Sequence, residues 1–506
     1  MRDRFVLLLA AAFVACVTLA RPGHAQRAWV PPTPHAIENV ALGLGDDAPR
    51  GTVVLRDGRI ESVLPAGAKL PAGLRRIDGA ELICLPAFVD AYTTVGVETP
   101  EPVIDRDHPL DAQADVRIDM RIANRKGFQP SFDAVDVAEL DDDRLEAYRA
   151  AGFGAALQSP ERQLLSGHSV LVSLRDAALR ERVIRAQVFA HSAFRASGSG
   201  YPSTLMGYIS ALRQFFLDVR WHQELNQRYD AGRPGPRPAF DADLEAGREL
   251  LSGDRRLMCE AQSSQDIRRF ARCAAEMGFT FGIVGGREAH EALDVFEGAG
   301  RPLVLTLEFG NEPDDPRPKD AKEDTVSEEE APEPEAAEPI ETTLTDDQAA
   351  VEELVETDDS DPASAGDDAA DDSDADDDAW VYTEPYPVSL DRRVRWEQRR
   401  DGALRLAEAG VEFALGTSDE GPAGLLKNLR GLVERGLPQQ TALDALTTVP
   451  AKWLGAEGRL GVVAAGADAT LCLWSANPLV EKDAKVLWLF VDGYAWRNDE
   501  ALEERD

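Results

Sequence analysis

Residues 263–286 read SSQDIRRFARCAAEMGFTFGIVGG, an amphipathic helix running straight into a short apolar strand. Ile267, Phe270, Ala271, Ala274 and Met277 recur at the spacing of one helical face, and Ser263 or Ser264 offers a hydroxyl to cap the first free backbone N–H groups. The glycine pair that closes FTFGIVGG marks a tight turn, because glycine alone takes positive φ without steric cost. The same alternation follows: a helix over 286–297 leads into RPLVLTLEF, and a helix over 398–409 leads into VEFALGTSDEG. Such units, repeated over roughly 295 residues once an internal insert is set aside, predict an α/β fold with parallel strands, since a helical crossover returns the chain to a parallel neighbour. At that size a (β/α)8 barrel is the natural candidate.

Outside this region the pattern changes to hairpins. TVVLRDGRIESV (52–63) is two β-rich runs joined through Asp57-Gly58, and VLWLFVDGYAWR (486–497) repeats the arrangement around Asp492-Gly493. Two hairpins at opposite ends of the chain predict one small composite β-sandwich built from both. The expected boundaries are a leader over 1–25, β-domain segments over 26–85 and 455–506, and barrel segments over 86–310 and 381–454.

The remaining block, 311–380, is compositionally distinct. Of the 506 residues, 54 are Lys or Arg and 91 are Asp or Glu, a formal net charge of −37. Within 311–380 there are 29 acidic residues against Arg317, Lys319 and Lys322, so most of the charge sits in this block. With few aliphatic side chains to bury, it is expected to be a disordered acidic insertion acting as a solvated spacer. The rest is mildly acidic and carries no basic stripe, which excludes nucleic acid as a partner.

Arg2 and Arg4 precede an apolar run from Phe5 to Ala20 and small residues at Gly23 and Ala25, the pattern of an export signal cleaved before Gln26. Lipoprotein processing at Cys16 is a minor variant. No later stretch is long and apolar enough to span a membrane, so a soluble, exported protein is expected, periplasmic or secreted. Cys84, Cys259, Cys273 and Cys472 fit neither a zinc motif nor a disulfide scaffold; Cys84 and Cys472, in ELICLP and ATLCLW, read as buried free thiols.

Several stretches together carry a family resemblance. RDGRI in the first hairpin, ICLPAFVDAYTTVGV (83–97), YPSTLMGYISALRQFFLD (201–218) and GTSDEG…ALDALTTVPAKWLGAEGRLGVVAAGADATLCLW (416–474) resemble the metal-dependent amidohydrolase superfamily, specifically its exported imidazolonepropionase-like branch. The likeness spans about 40–310 and 395–498. It is most specific at Thr447, Pro450-Ala451-Lys452, Gly455, Arg459-Leu460-Gly461, Gly466 and Asp468-Ala469, which resemble the segment leading the last barrel helix into the β-domain. The implied activity is hydrolysis of a carbon–nitrogen bond other than a peptide bond, typically in a cyclic amide or imide.

The resemblance also implies where the chemistry sits, and there the residues depart from it. Active relatives end the first barrel strand in PGxxDxHxH, whose histidines hold a metal that lowers the pKa of a bound water. Here the stretch is Pro86-Ala87-Phe88-Val89-Asp90-Ala91-Tyr92-Thr93-Thr94, so Tyr92 and Thr94 replace the histidines. The histidine positions after the fifth and sixth strands fall in CEAQSS and IVGGRE, with Glu260, Gln262 and Gly285-Gly286. Only the strand-eight aspartate has a counterpart, Asp419, or Ser418 if the register slips by one.

A rebuilt site would draw on Asp90, Glu260 and Asp419 at the C-terminal mouth of the barrel, with His191 the best single imidazole. Three carboxylates and Tyr92 suit a hard cation such as magnesium or calcium better than zinc. The plainer reading has Asp90 hydrogen-bonding the strand end, Glu260 facing solvent and His191 and His168 at loop boundaries. His35, His108, His222 and His290 show no metal-binding spacing with them, and neither a serine-nucleophile elbow nor a dinucleotide motif is present. The expectation is therefore a catalytically degenerate relative without a cofactor, serving as a binding or scaffold protein for a small molecule at the barrel mouth. The alternative is an active cyclic amide or imide hydrolase with one zinc, manganese or magnesium ion. Self-association is left open.

Overall fold

A computed structural model describes residues 31–45, 47–99, 127–196, 201–318, 384–418 and 421–503. The leader, Cys16, His108, Asp419 and most of the acidic block lie outside the described residues.

Both predicted hairpins form and join one eight-stranded sheet. The N-terminal half supplies β1 (His35–Leu42), β2 (Arg50–Arg56), β3 (Arg59–Pro65), β4 (Arg75–Asp78) and β5 (Ile83–Pro86). The C-terminal end supplies β16 (Leu471–Trp474), β17 (Val486–Val491) and β18 (Tyr494–Arg497). The order is β18-β17-β16-β5-β1-β2-β3, with β4 on β1, so the halves meet where Leu85 pairs with Cys472. Asp57, Gly58, Asp492 and Gly493 all have positive φ, as a two-residue hairpin loop demands. The two loops also touch: a Cβ on Gly493 would lie 3.0 Å from the Gly58 Cα, so a side chain has no room there. The sheet thus curls until its first and last hairpins meet, around Ile37, Val53, Leu55, Leu471 and Phe490.

The intervening chain is mixed α/β. β6 (Phe88–Thr93), β7 (Phe153–Gln158), β9 (Val170–Ser173) and β10 (Val183–Arg185) form one sheet. β8 (Gly167–His168), β11 (Ala190–Ala193), β12 (Leu257–Ala261), β13 (Phe281–Gly285), β14 (Leu303–Leu305) and β15 (Ala414–Leu415) form another. The pairs β6–β7 and β11 through β15 are parallel, as predicted. The stretch Gly167–Ser173 departs from that expectation, running antiparallel to β7 on one side and β11 on the other. Its hydrogen bonds leave two open sheets, and no closed barrel is traced among the described strands.

Local rules account for much of this. Ser263 caps the helix Ser264–Met277 by accepting from the Asp266 N–H, and Gly278 ends it in the left-handed region. Ile267, Phe270, Ala274 and Met277 are buried as predicted, joined by Cys273, while Ala271 is half-buried. The continuous helix expected over 286–297 does not form. A 3-10 turn, Ala289–Glu291, and a single helical turn, Leu293–Phe296, replace it, because Ala292 leaves the helical region and is wholly buried. The helix expected over 398–409 is two, Tyr386–Arg400 and Gly402–Glu408. Cys84, Cys259, Cys273 and Cys472 are free and buried, and burial pushes the Cys84 thiol up to about 12. No helix among the described residues is long and apolar enough to cross a membrane.

The chain divides into two compact units, Met1–Asn311 with Trp396–Asp506, and Glu312–Arg395. In the described part of the smaller unit, Arg393 Nη1 donates to Glu312 (2.7 Å) and to the Pro313 carbonyl (2.9 Å).

Candidate functional site

Tyr92, His191 and Glu260 come from β6, β11 and β12, and line a single small pocket. The cation in it is one the sequence reading missed. Arg162, in the loop after β7, places its Nε 3.1 Å from a Glu260 carboxylate oxygen and donates through Nη2 to Ser418 Oγ. Glu260 is thus ion-paired in a half-buried setting, which corrects the reading that it faces solvent. Ser418, just past β15, is fully buried with φ of 46°, a conformation a serine adopts only when its surroundings hold it.

His191 lies inside β11 rather than at a loop boundary, paired with Met258 of β12. Its ring is 5.8 Å from that of Tyr92, and its Nε2 finds no hydrogen-bond partner among the described residues. Burial, and next the neighbouring His168, lower its pKa to about 3, so the imidazole is neutral at physiological pH. His168 is also buried, at the start of the antiparallel stretch, with both ring nitrogens unpartnered.

Asp90 does not join this group. Its Oδ1 accepts from the backbone N–H of Tyr92 (3.1 Å) and of Thr417 (3.0 Å). Its Oδ2 accepts from Thr417 Oγ1 (2.6 Å) and from the Tyr148 hydroxyl (3.0 Å), Tyr148 belonging to the helix Asp142–Ala150. The pairing of β6 with β7 slips between Asp90 and Thr93, so Tyr92 faces the pocket while Asp90 and Thr93 both face Tyr148. The carboxylate is a strut that ties β6 to the segment after β15. Complete burial raises its pKa to about 6, although all four hydrogen bonds pull the other way.

Thr94 lies just past β6, where its carbonyl accepts from the Val97 N–H (3.3 Å). Gln262 accepts from the Arg287 N–H (3.3 Å) and so braces the Gly285–Gly286 turn, whose glycines both have positive φ. Asp419 lies outside the described residues.

Among the described residues, this donor set does not fit a catalytic metal ion. Asp90 is saturated and turned away, Glu260 is ion-paired with Arg162, and the imidazole near His191 is that of His168, with no carboxylate joining the two in a group of three. No three His, Cys, Asp or Glu side chains among the described residues converge to hold a metal.

The comparisons agree with the architecture more than with any one activity. The chain matches no established family profile. It is 42% identical over 64 residues to "Amidohydrolase tasK" of Hapsidospora irregularis, a match covering 13% of this chain and 6% of that protein. Among solved structures, an amidohydrolase from Thermotoga maritima MSB8 superposes with a TM-score of 0.62 at 18% identity, over 92% of this chain and all of that one. A Xaa-Pro dipeptidase with bound methionine in its active site covers the same shares at a TM-score of 0.48 and 16% identity. A superposition spanning nearly the whole chain bears out the resemblance read in the sequence at the level of architecture: this chain is built on the amidohydrolase fold.

Proposed function

We propose that this chain is an exported amidohydrolase-superfamily protein that has exchanged metal-dependent hydrolysis for small-molecule binding around a fixed cation. The observation that carries the reading is Arg162, whose guanidinium lies between Glu260 and Ser418 in the pocket that Tyr92 and His191 also line. A side-chain cation cannot lower the pKa of a bound water as a metal does, but it does hold a carbonyl or carboxylate. The neutral His191 imidazole and the Tyr92 ring supply an apolar wall beside it. Eight strand segments in the order β6, β7, β9 with β8, β11, β12, β13, β14, β15 are consistent with a (β/α)8 barrel, and the Ser418 N–H donates back to the Tyr92 carbonyl (3.2 Å) across its remaining gap. Export rests on the charged and apolar pattern of residues 1–25.

A second reading, a cyclic amide or imide hydrolase with a rebuilt mononuclear site, is favoured by the unpartnered His191 Nε2. Elemental mass spectrometry of the purified mature protein separates the two, on wild type and on Asp419→Ala in parallel. The expected result is no stoichiometric metal in either, even after zinc, manganese or magnesium is added. One equivalent in wild type that disappears in the variant would overturn the binding-protein reading.

A further inference from the structure

Of the ten large apolar side chains that stand exposed among the described residues, six fall within residues 201–240, and the two most exposed, Met206 (81%) and Phe240 (82%), are both there. The helix Leu205–Asp230 gathers part of this set into a stripe. At about 100° per residue, Met206, Leu217 and Trp221 lie within about 60° of one another around the helix axis. The opposite side, with Ala211, Leu212, Phe215, Phe216 and Val219, packs into the core. Phe240 belongs to the same region, because His222 Nε2 donates to the Ala239 carbonyl (3.0 Å) and so ties the following loop to this helix.

The helix therefore has an apolar stripe on each side, and the described chain covers only one. Scattered exposed apolar residues need no partner, but a cluster along one helix face does, and tryptophan, methionine and arginine are the types that interfaces favour. Two charges flank the exposed stripe. Arg213 Nε and Nη2 donate to the two Glu276 carboxylate oxygens (2.6 and 2.9 Å), which leaves Nη1 uncommitted. Glu224 is exposed and makes no ion pair among the described residues.

The order of these residues along the stripe matches its own reverse. We propose that the face is covered by a second copy of this chain, the two helices Leu205–Asp230 packing antiparallel about a two-fold axis level with Val219. That axis sets Leu217 against Trp221 of the second copy and Trp221 against its Leu217, as an isologous contact requires. The same axis brings Glu224 alongside Arg213 of the second copy at each end, so an apolar centre is closed by opposite charges. It also falls close to the midpoint of the 26-residue helix, so nearly the whole length, about 35 Å, overlaps. An unrelated partner would not need either coincidence. One helix face with Phe240 beside it makes a small interface, and the dimer is expected to be micromolar. The proposal is independent of what the Arg162 pocket binds.

The test is sedimentation velocity of the full mature protein from about 1 to 200 µM, in about 0.15 M salt to screen repulsion between two acidic chains. Wild type is expected to pass from monomer to dimer across that range. Trp221→Glu should weaken the dimer by about a hundredfold, and Glu224→Arg, which sets like charges against Arg213 of the second copy, by about tenfold. Glu224 is wholly a surface residue, so its variant decides the matter if Trp221→Glu fails to fold. A wild type that stays monomeric to about 200 µM would overturn the proposal, as would a dimer of unchanged affinity in folded Glu224→Arg. Monomeric wild type that sediments with phosphatidylglycerol vesicles, and loses them in Trp221→Glu, would give the face to a lipid surface and overturn it equally.

Discussion

Asp90→Ala separates a strut from a ligand, and the structure gives both the size and the pH dependence of its effect. The substitution leaves the buried N–H groups of Tyr92 and Thr417 without their acceptor. At about 1–3 kcal/mol for each orphaned donor, the cost is about 4 kcal/mol when Asp90 is protonated in the folded protein. When it is ionised the wild type has its own penalty, because burial raises the folded pKa to about 6. A raised acid pKa means that the folded state holds more protons than the unfolded one between roughly pH 4 and 6, so wild-type stability falls as pH rises through that window. The penalty of Asp90→Ala is therefore larger in acid, by about 2 kcal/mol at pH 4.5 compared with pH 7.5. Urea unfolding of both proteins at the two pH values measures this directly. An equal penalty at both, or a larger one at pH 7.5, would refute the strut; so would loss of a bound metal without loss of stability.

Three further outcomes follow from the same contacts. Tyr148→Phe removes one of the Asp90 Oδ2 donors, so it should cost about 1–2 kcal/mol and move the stability decline to higher pH, read from denaturation midpoints against pH. Gly493→Ala puts a methyl against Gly58 in a positive-φ position, and should lower stability by about 1–2 kcal/mol in the same assay, whereas a neutral result would mean that the two hairpin loops do not touch. Cys84, Cys259, Cys273 and Cys472 should resist a thiol reagent in the native protein and react on unfolding; rapid native modification of any of them would contradict their burial.

What could be read from the sequence was what short-range rules decide. Asp57-Gly58 and Asp492-Gly493 announce their hairpins because a two-residue loop needs positive φ at both positions, and Ser263 announces its helix because it caps it. The helix over 286–297 was misread because the apolar spacing that suggests it also buries Ala289 and Ala292 in a broken path, and tertiary packing wins over periodicity there. The roles of Asp90 and Glu260 depend on partners remote in the chain, Thr417 and Tyr148 for one and Arg162 for the other, and no local pattern pairs them. Arg162 did leave a signal: a lone cation in SPERQ, directly after a strand, at the end of the fold where Glu260 also emerges.

The curled eight-stranded sheet has a kinetic side. β5 and β16 are neighbours in space and close to opposite extremes in sequence, so their pairing has about as high a contact order as this chain allows. During synthesis β1 through β5 emerge long before β16 exists to cover the open side of β5, and an uncovered strand edge is a template for the wrong partner. Completion of the sheet then becomes a late event that waits on the α/β region between its halves. Loss of the last strands should accordingly leave a protein that aggregates from its N-terminal end rather than one that merely frays at its C-terminus.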